Sequence, residues 1–188
     1  TPTVDDNCTV ASVTNDAPAV FPIGTTTVTW TVTDGSGNIA TCEQIVTVTD
    51  IELPTITCPA PVAVNTDAGE CTASGVDLGT PVVDDNCEVA SVTNDAPAVF
   101  PIGTTTVTWT VTDGSGNIAT CEQIVTVTDI ELPTIVCPAP VAVNTDADEC
   151  TASGVDLGTP TVDDNCTVAS VTNDAPAVFP IGTTTVTW

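Results

Sequence analysis

The chain has 188 residues, 25 carboxylates and no lysine, arginine or histidine, for a net charge of −25. No side chain can pair with those carboxylates, and no basic group exists to contact nucleic-acid phosphate or an anionic lipid surface, so both partner classes are excluded. With no histidine, lysine, arginine or tyrosine to act as base, nucleophile partner or oxyanion clamp, no catalytic constellation is present, and the chain reads as a non-enzyme.

The sequence repeats every 79 residues. Cys8, Cys87 and Cys166 each close a Val-Asp-Asp-Asn-Cys segment, and the pairs Cys42 and Cys121, Cys58 and Cys137, Cys71 and Cys150 keep the same spacing. The period divides the chain into the C-terminal part of one repeat (1–49), a complete repeat (50–128) and the N-terminal part of a further one (129–188). It reads as a window on a longer array. A domain of this size has a thin core and usually needs staples. Cysteines without histidine and without CxxC pairs point to disulfides rather than zinc, and so to an oxidising compartment, outside the cell or in a periplasm. Four cysteines per repeat allow three connectivities, and the spacing leaves all three open.

Along the complete repeat, proline and glycine punctuate runs of β-branched threonine and valine, and no helical period appears. Residues 54–64 predict a proline-broken edge strand. Residues 65–69 form a turn, 71–78 a second strand and 89–93 a third. Asn94-Asp95-Ala96-Pro97 and Pro101-Ile102-Gly103 are corners. The clearest strand is 104–113, with Val107, Trp109 and Val111 inward and Thr106, Thr108, Thr110 and Thr112 outward. Gly114-Ser115-Gly116-Asn117 is a turn, and the chain returns over 118–129. Ala119, Cys121, Val125 and Val127 face inward there if Gln123 does too, or if a bulge sits near Ile124. The link to the next repeat, 128–133, is short and holds Pro133, which predicts stiffness. Short strands with frequent turns predict an all-β fold of tandem β-sandwiches.

The residues Cys58-Pro59, Asp85-Asn86, Phe100-Pro101-Ile102-Gly103-Thr104-Thr105-Thr106-Val107, Asp113, Gly116-Asn117 and Cys121 resemble the hyalin repeat, or HYR domain, an immunoglobulin-like module, over the whole repeat. Gln123 departs from the pattern, which usually has an apolar or aromatic residue there. The resemblance implies a cell-surface or extracellular interaction module, disulfide-stapled and arranged end to end as a rod. It also implies a Cys58–Cys121 bond between first and last strands. The extra pair would then be Cys71 with Cys87, and Cys150 with Cys166, leaving Cys8, Cys42 and Cys137 to partners outside the chain. The acidic, nearly identical four-cysteine copies look most like those of giant surface proteins of Bacteroidota-type bacteria. Those include adhesins of gliding motility exported by the type IX route, which implies a bacterial outer surface.

The densest oxygen donors are Asp84-Asp85-Asn86, Asp113 with Asn117, and Asp50 with Glu52; their counterparts one repeat on are Asp163-Asp164-Asn165 and Asp129 with Glu131. An immunoglobulin-like sandwich would gather the first three groups at the pole nearest the preceding domain. Calcium takes six to eight oxygen ligands of these kinds, so calcium at each junction is the one cofactor expectation. The competing reading is turn-building and solubility. Trp30, Trp109 and Trp188 are one position in successive copies, and the alternation makes it a core position rather than a sugar platform. The threonine stripe reads as a solvated sheet face. Asn7-Cys8-Thr9 and Asn165-Cys166-Thr167 fit a glycosylation sequon.

These readings predict a stalk segment of a large surface adhesin, whose partners are neighbouring repeats of the same chain. Surface glycans or a substratum would be met through a distal tip, with no direct membrane contact. The alternatives are repeats that themselves bind glycans multivalently, or a spacer in a secreted polysaccharide-degrading enzyme.

Overall fold

A computed structural model describes residues 1–188, and every regular element in it is a strand. The fold is all-β. By their internal contacts the residues form two compact units. The first comprises Thr1–Thr57, Val82–Thr93 and Thr110–Thr120; the second comprises Cys58–Pro81, Asn94–Trp109 and Cys121–Trp188.

The first unit contains β1 (Val10–Asn15), β2 (Gly24–Asp34) and β3 (Ile39–Val48), an antiparallel meander of order β1-β2-β3. β2 and β3 stay in register from Gly24↔Val48 to Thr33↔Ile39. β1 carries a shift between Val10 and Ser12. The unit also holds β4 (Thr55–Thr57), antiparallel to β7 (Val82–Asp84) with Ile56 opposite Val83. The sequence reading missed β7, because three residues between turns carry too short an alternation to register as a strand.

The second unit contains β5 (Val62–Asn65) and β6 (Thr72–Ser74), which is antiparallel to β9 (Val99–Pro101). The pair sets Ala73 opposite Phe100, both buried, so the small residue makes room for the ring. Residues 75–78, predicted as strand, lie outside β6, and Pro101, predicted as a corner, is the last residue of β9. β12 (Thr134–Val136) pairs with β14 (Thr161–Asp163), and β13 (Thr151–Ser153) with β15 (Val178–Pro180), repeating the β4–β7 and β6–β9 pairings one period on.

β8 (Val89–Asn94), β10 (Gly103–Asp113) and β11 (Ile118–Thr128) join β5 in a four-stranded sheet of order β5-β11-β10-β8. β5 runs parallel to β11, with Val62 opposite Val125 and Val64 opposite Val127. Val107, Trp109, Val111 and Asp113 are buried along β10, and the alternate threonines Thr108, Thr110 and Thr112 are half-buried rather than fully solvated. Alternation runs without interruption along β11, where Gln123, Val125 and Val127 are buried. A bulge near Ile124 is therefore absent. Trp109 is a core residue, 6% exposed, whereas Trp30 and Trp188 are half-buried.

Gln123 is 1% exposed and uses its whole amide. Its Oε1 accepts from Trp109 Nε1 at 2.9 Å, and its Nε2 donates to Ala60 O at 2.8 Å and Leu78 O at 3.0 Å. A polar group can stay in a core only when it is satisfied in this way. The same tryptophan–glutamine bond recurs at Trp30–Gln44, 2.9 Å, where Gln44 is exposed.

Candidate functional site

Two features set the chemistry of this chain: a group of carboxylates around Asp50, and the disulfide that holds Cys166.

The first lies within the first unit. Asp50 begins the complete repeat and is 9% exposed. Its Oδ1 accepts from Glu52 N at 3.1 Å and weakly from Asn86 Nδ2 at 3.5 Å, and its backbone O accepts from Asn117 Nδ2 at 3.3 Å. Asp113, 2% exposed, caps the turn after β10: its Oδ1 accepts from Asn117 N at 2.7 Å and Ser115 N at 3.0 Å, and its Oδ2 from Asn117 Nδ2 at 2.7 Å. Burial pushes this carboxyl up, but the bonds from Asn117, Ser115 and Gly116 together outweigh it and hold the group below the ordinary carboxylate range. Asp34, the same position one repeat earlier, is held low chiefly by Asn38.

Asp85 builds the next turn, accepting from Cys87 N and Glu88 N on Oδ2, both at 3.0 Å. The ligand-type atoms of Asp50, Asp85 and Cys87 lie within 4.8 Å of one another. Asp50 Oδ2 and Asp85 Oδ1 are buried there without a hydrogen-bond partner. Desolvation first, and then the Asp50, Asp85 and Asp113 charges, push the Cys87 thiol above its usual range.

Of the oxygen donors read from the sequence, Asp50, Asp85, Asn86, Asp113 and Asn117 thus come together through shared contacts. Asp84 and Glu52 are exposed, and of Glu52 only the N–H takes part. The counterparts one repeat on are arranged differently. Asp129 is half-buried and its Oδ1 accepts from Glu131 N, Asn165 Nδ2 and Thr66 Oγ1. Glu131 Oε2 accepts from Gly69 N at 2.9 Å, Asp164 Oδ2 from Cys166 N at 3.1 Å, and Asp163 is exposed in β14. No group of three metal-ligating side chains forms there.

The second feature corrects the sequence reading of the cysteines. Cys58 bonds Cys121, but Cys71 bonds Cys166 rather than Cys87, across a separation of 95 residues. Cys8, Cys42, Cys87, Cys137 and Cys150 are free and exposed. Cys166 is therefore not the partner of Cys150. The physical reason is the approach of the Asn165 amide, which donates to Glu70 O at 2.8 Å and sets the Cys71 and Cys166 Cα atoms 4.7 Å apart. Cys87 instead lies beside Asp50 and Asp85.

The HYR domain profile matches residues 1–48 and 49–127. The chain belongs to the HYR domain family. Among curated relatives, this HYR chain is 35% identical to hyalin of Strongylocentrotus purpuratus over all of its length and 17% of that protein's. It is 33% identical to hyalin of Lytechinus variegatus over 89% of its length and 34% of that protein's. A sushi, von Willebrand factor type A, EGF and pentraxin domain-containing protein 1 of Rattus norvegicus is 38% identical over 56% of the chain and 3% of that protein. The HYR chain thus spans at most about a third of the relatives it matches. The solved extracellular cadherin domains 1–4 of protocadherin gamma B7 overlay on 88% of this chain and 53% of that one, at 14% identity and a TM-score of 0.38, too loose a likeness to build on. Family membership and two closed disulfides place this HYR chain outside the cell.

Proposed function

We propose that the chain is a stalk segment of a large repetitive cell-surface adhesin, which carries a binding tip away from the cell and transmits force. The observation that supports this reading most is the Cys71–Cys166 bond, which ties one 79-residue repeat covalently to the next. A pull along the chain meets that bond as well as the short link at 128–133. β10 has 11 residues, so a repeat laid along the axis adds about 36 Å. Electron micrographs of chains with increasing repeat number test the reading. Beaded rods that lengthen by a constant step per repeat support it; compact particles of unchanging outline sink it. A bacterial outer surface and a role in gliding motility are the finer form of the proposal, supported by the acidic, nearly identical four-cysteine copies.

Calcium is the cation we propose for the Asp50–Asp85 group, because two buried carboxylate oxygens there have no partner and the chain has no basic side chain to meet them. Asp113, Asn86 and Asn117 are the neighbouring oxygen donors. Millimolar calcium is expected to raise the melting temperature, and Asp50→Asn to abolish the rise; an unchanged melting temperature removes the cation from the reading.

A further inference from the structure

The Cys71–Cys166 bond joins two pieces of chain that each recur elsewhere in the molecule without a partner. One is the loop that presents Cys71. Asp67 N donates to Thr72 O at 2.7 Å, and Ser74 donates from N and Oγ to Asp67 Oδ2 at 2.9 and 2.6 Å. Gly69 takes the left-handed conformation the loop needs, with φ 74°. One period on, the loop of Cys150 is built the same way. Asp146 N donates to Thr151 O at 2.8 Å, and Ser153 donates from N and Oγ to Asp146 Oδ2 at 3.0 and 2.8 Å. Asp148 replaces Gly69 and still adopts φ 63°, the one non-glycine residue of the chain at positive φ. The loop keeps its shape with Cys150 free, so docking does not create that shape.

The other piece is the turn that presents Cys166. Its counterpart at Cys87 has the same internal bond, from the cysteine N–H to the aspartate two residues before it. What differs is the occupant. Around Cys166, Asn165 Nδ2 reaches Glu70 O and Glu131 Oε2 receives Gly69 N. Around Cys87, Asn86 Nδ2 finds only Asp50 Oδ1 at 3.5 Å and no loop carbonyl; buried oxygens without a partner occur in both copies, Asp50 Oδ2 and Asp85 Oδ1 in one and Asn165 Oδ1 in the other. The Asn165 amide holds a loop in one copy; its counterpart Asn86 holds none in the other.

We infer that Cys87 is an acceptor for a loop of the 66–72 kind presented by another repeat of this sequence, that Cys150 is the matching donor, and that the array is locked by one disulfide across every pair of successive repeats. Each bond forms by exchange with a disulfide donor of the oxidising compartment. One cysteine thiolate attacks the donor, giving a mixed disulfide and expelling a thiolate, and the second cysteine thiolate displaces the remaining half. Two cysteine sulfurs lose two electrons and two protons in all, and the donor is reduced to two thiols. This inference stands whether or not the array serves as a stalk.

Thiol labelling tests it. The oxidised 188-residue chain is alkylated, unfolded and cut at aspartate and glutamate, since it offers no lysine or arginine to trypsin. The expected labels are Cys8, Cys42, Cys87, Cys137 and Cys150. Pairing inside each repeat would label only Cys8, Cys42 and Cys137 and would overturn the inference. The same chain is then lengthened by a copy of residues 1–79 placed before Thr1, which keeps the period and supplies a new Cys71-type loop. Cys87, the one cysteine of its kind followed by glutamate and so carried on a peptide of its own, is expected to lose its label completely. A label persisting on Cys87 overturns the proposal. Protection of Cys58, whose peptide carries Thr57 where that of Cys137 carries Val136, reports in every sample that the complete repeat has folded.

Discussion

Gln123→Ala is expected to destabilise the complete repeat by about 2–4 kcal/mol. The substitution leaves the buried Trp109 indole N–H without a partner and breaks two part-buried bonds, to the carbonyls of Ala60 and Leu78. Each such group costs about 1–3 kcal/mol when it is neither paired nor hydrated, and the cavity left by the side chain adds to the loss. A small domain has only about 5–15 kcal/mol to lose, so the effect should be plain in a denaturant melt followed by tryptophan fluorescence. The chain supplies its own control. Gln44 makes the equivalent bond to Trp30 but is exposed, so water replaces the lost partner in Gln44→Ala and the change should stay near 0.5 kcal/mol. Equal shifts for the two variants would show that the buried amide contributes nothing special.

Cys58→Ser should cost about 4 kcal/mol, because the bond to Cys121 closes a loop with a sequence separation of 63 and removes that much loop entropy from the unfolded chain. Cys137→Ser changes the same position one repeat on, where the cysteine is exposed and unpaired, and should leave the guanidinium midpoint where it was. If both variants shift the midpoint alike, the stabilisation comes from packing of the cysteine rather than from the cross-link. The comparison also separates the two disulfides. Cys58–Cys121 lies inside one repeat, so its loss is felt by that repeat alone, whereas Cys166→Ser releases the tie between two repeats.

Much of the complete repeat was legible along the chain. β10 and β11 announce themselves by alternation, and the Asp113–Asn117 turn by its glycines and its Asx residues. Trp109 was placed in the core by the valines two residues either side of it. The elements that escaped are β7 and β9, three residues each. Nothing local marks them, because what makes them strands is the partner: Ile56 opposite Val83, and Ala73 opposite Phe100. Around Asp50 the donor residues were all visible as residue types. Their meeting was not, since Asp50, Asp85 and Asn117 are separated by tens of residues and are joined only when the turns after β7 and β10 close on the start of the repeat.

Composition and period alone determined that this chain is base-free, β-rich and cysteine-rich, and that it repeats every 79 residues. Those properties depend on residue types and local alternation, which a linear sequence displays in full. The orientation of Gln123 and the partner of Cys71 were decided by tertiary structure. The first depended on two backbone carbonyls, Ala60 and Leu78, arriving from distant turns to satisfy a buried amide. The second depended on which of several identical Asn-Cys segments reaches the loop at 66–72, and identical copies carry no local mark to tell one from another.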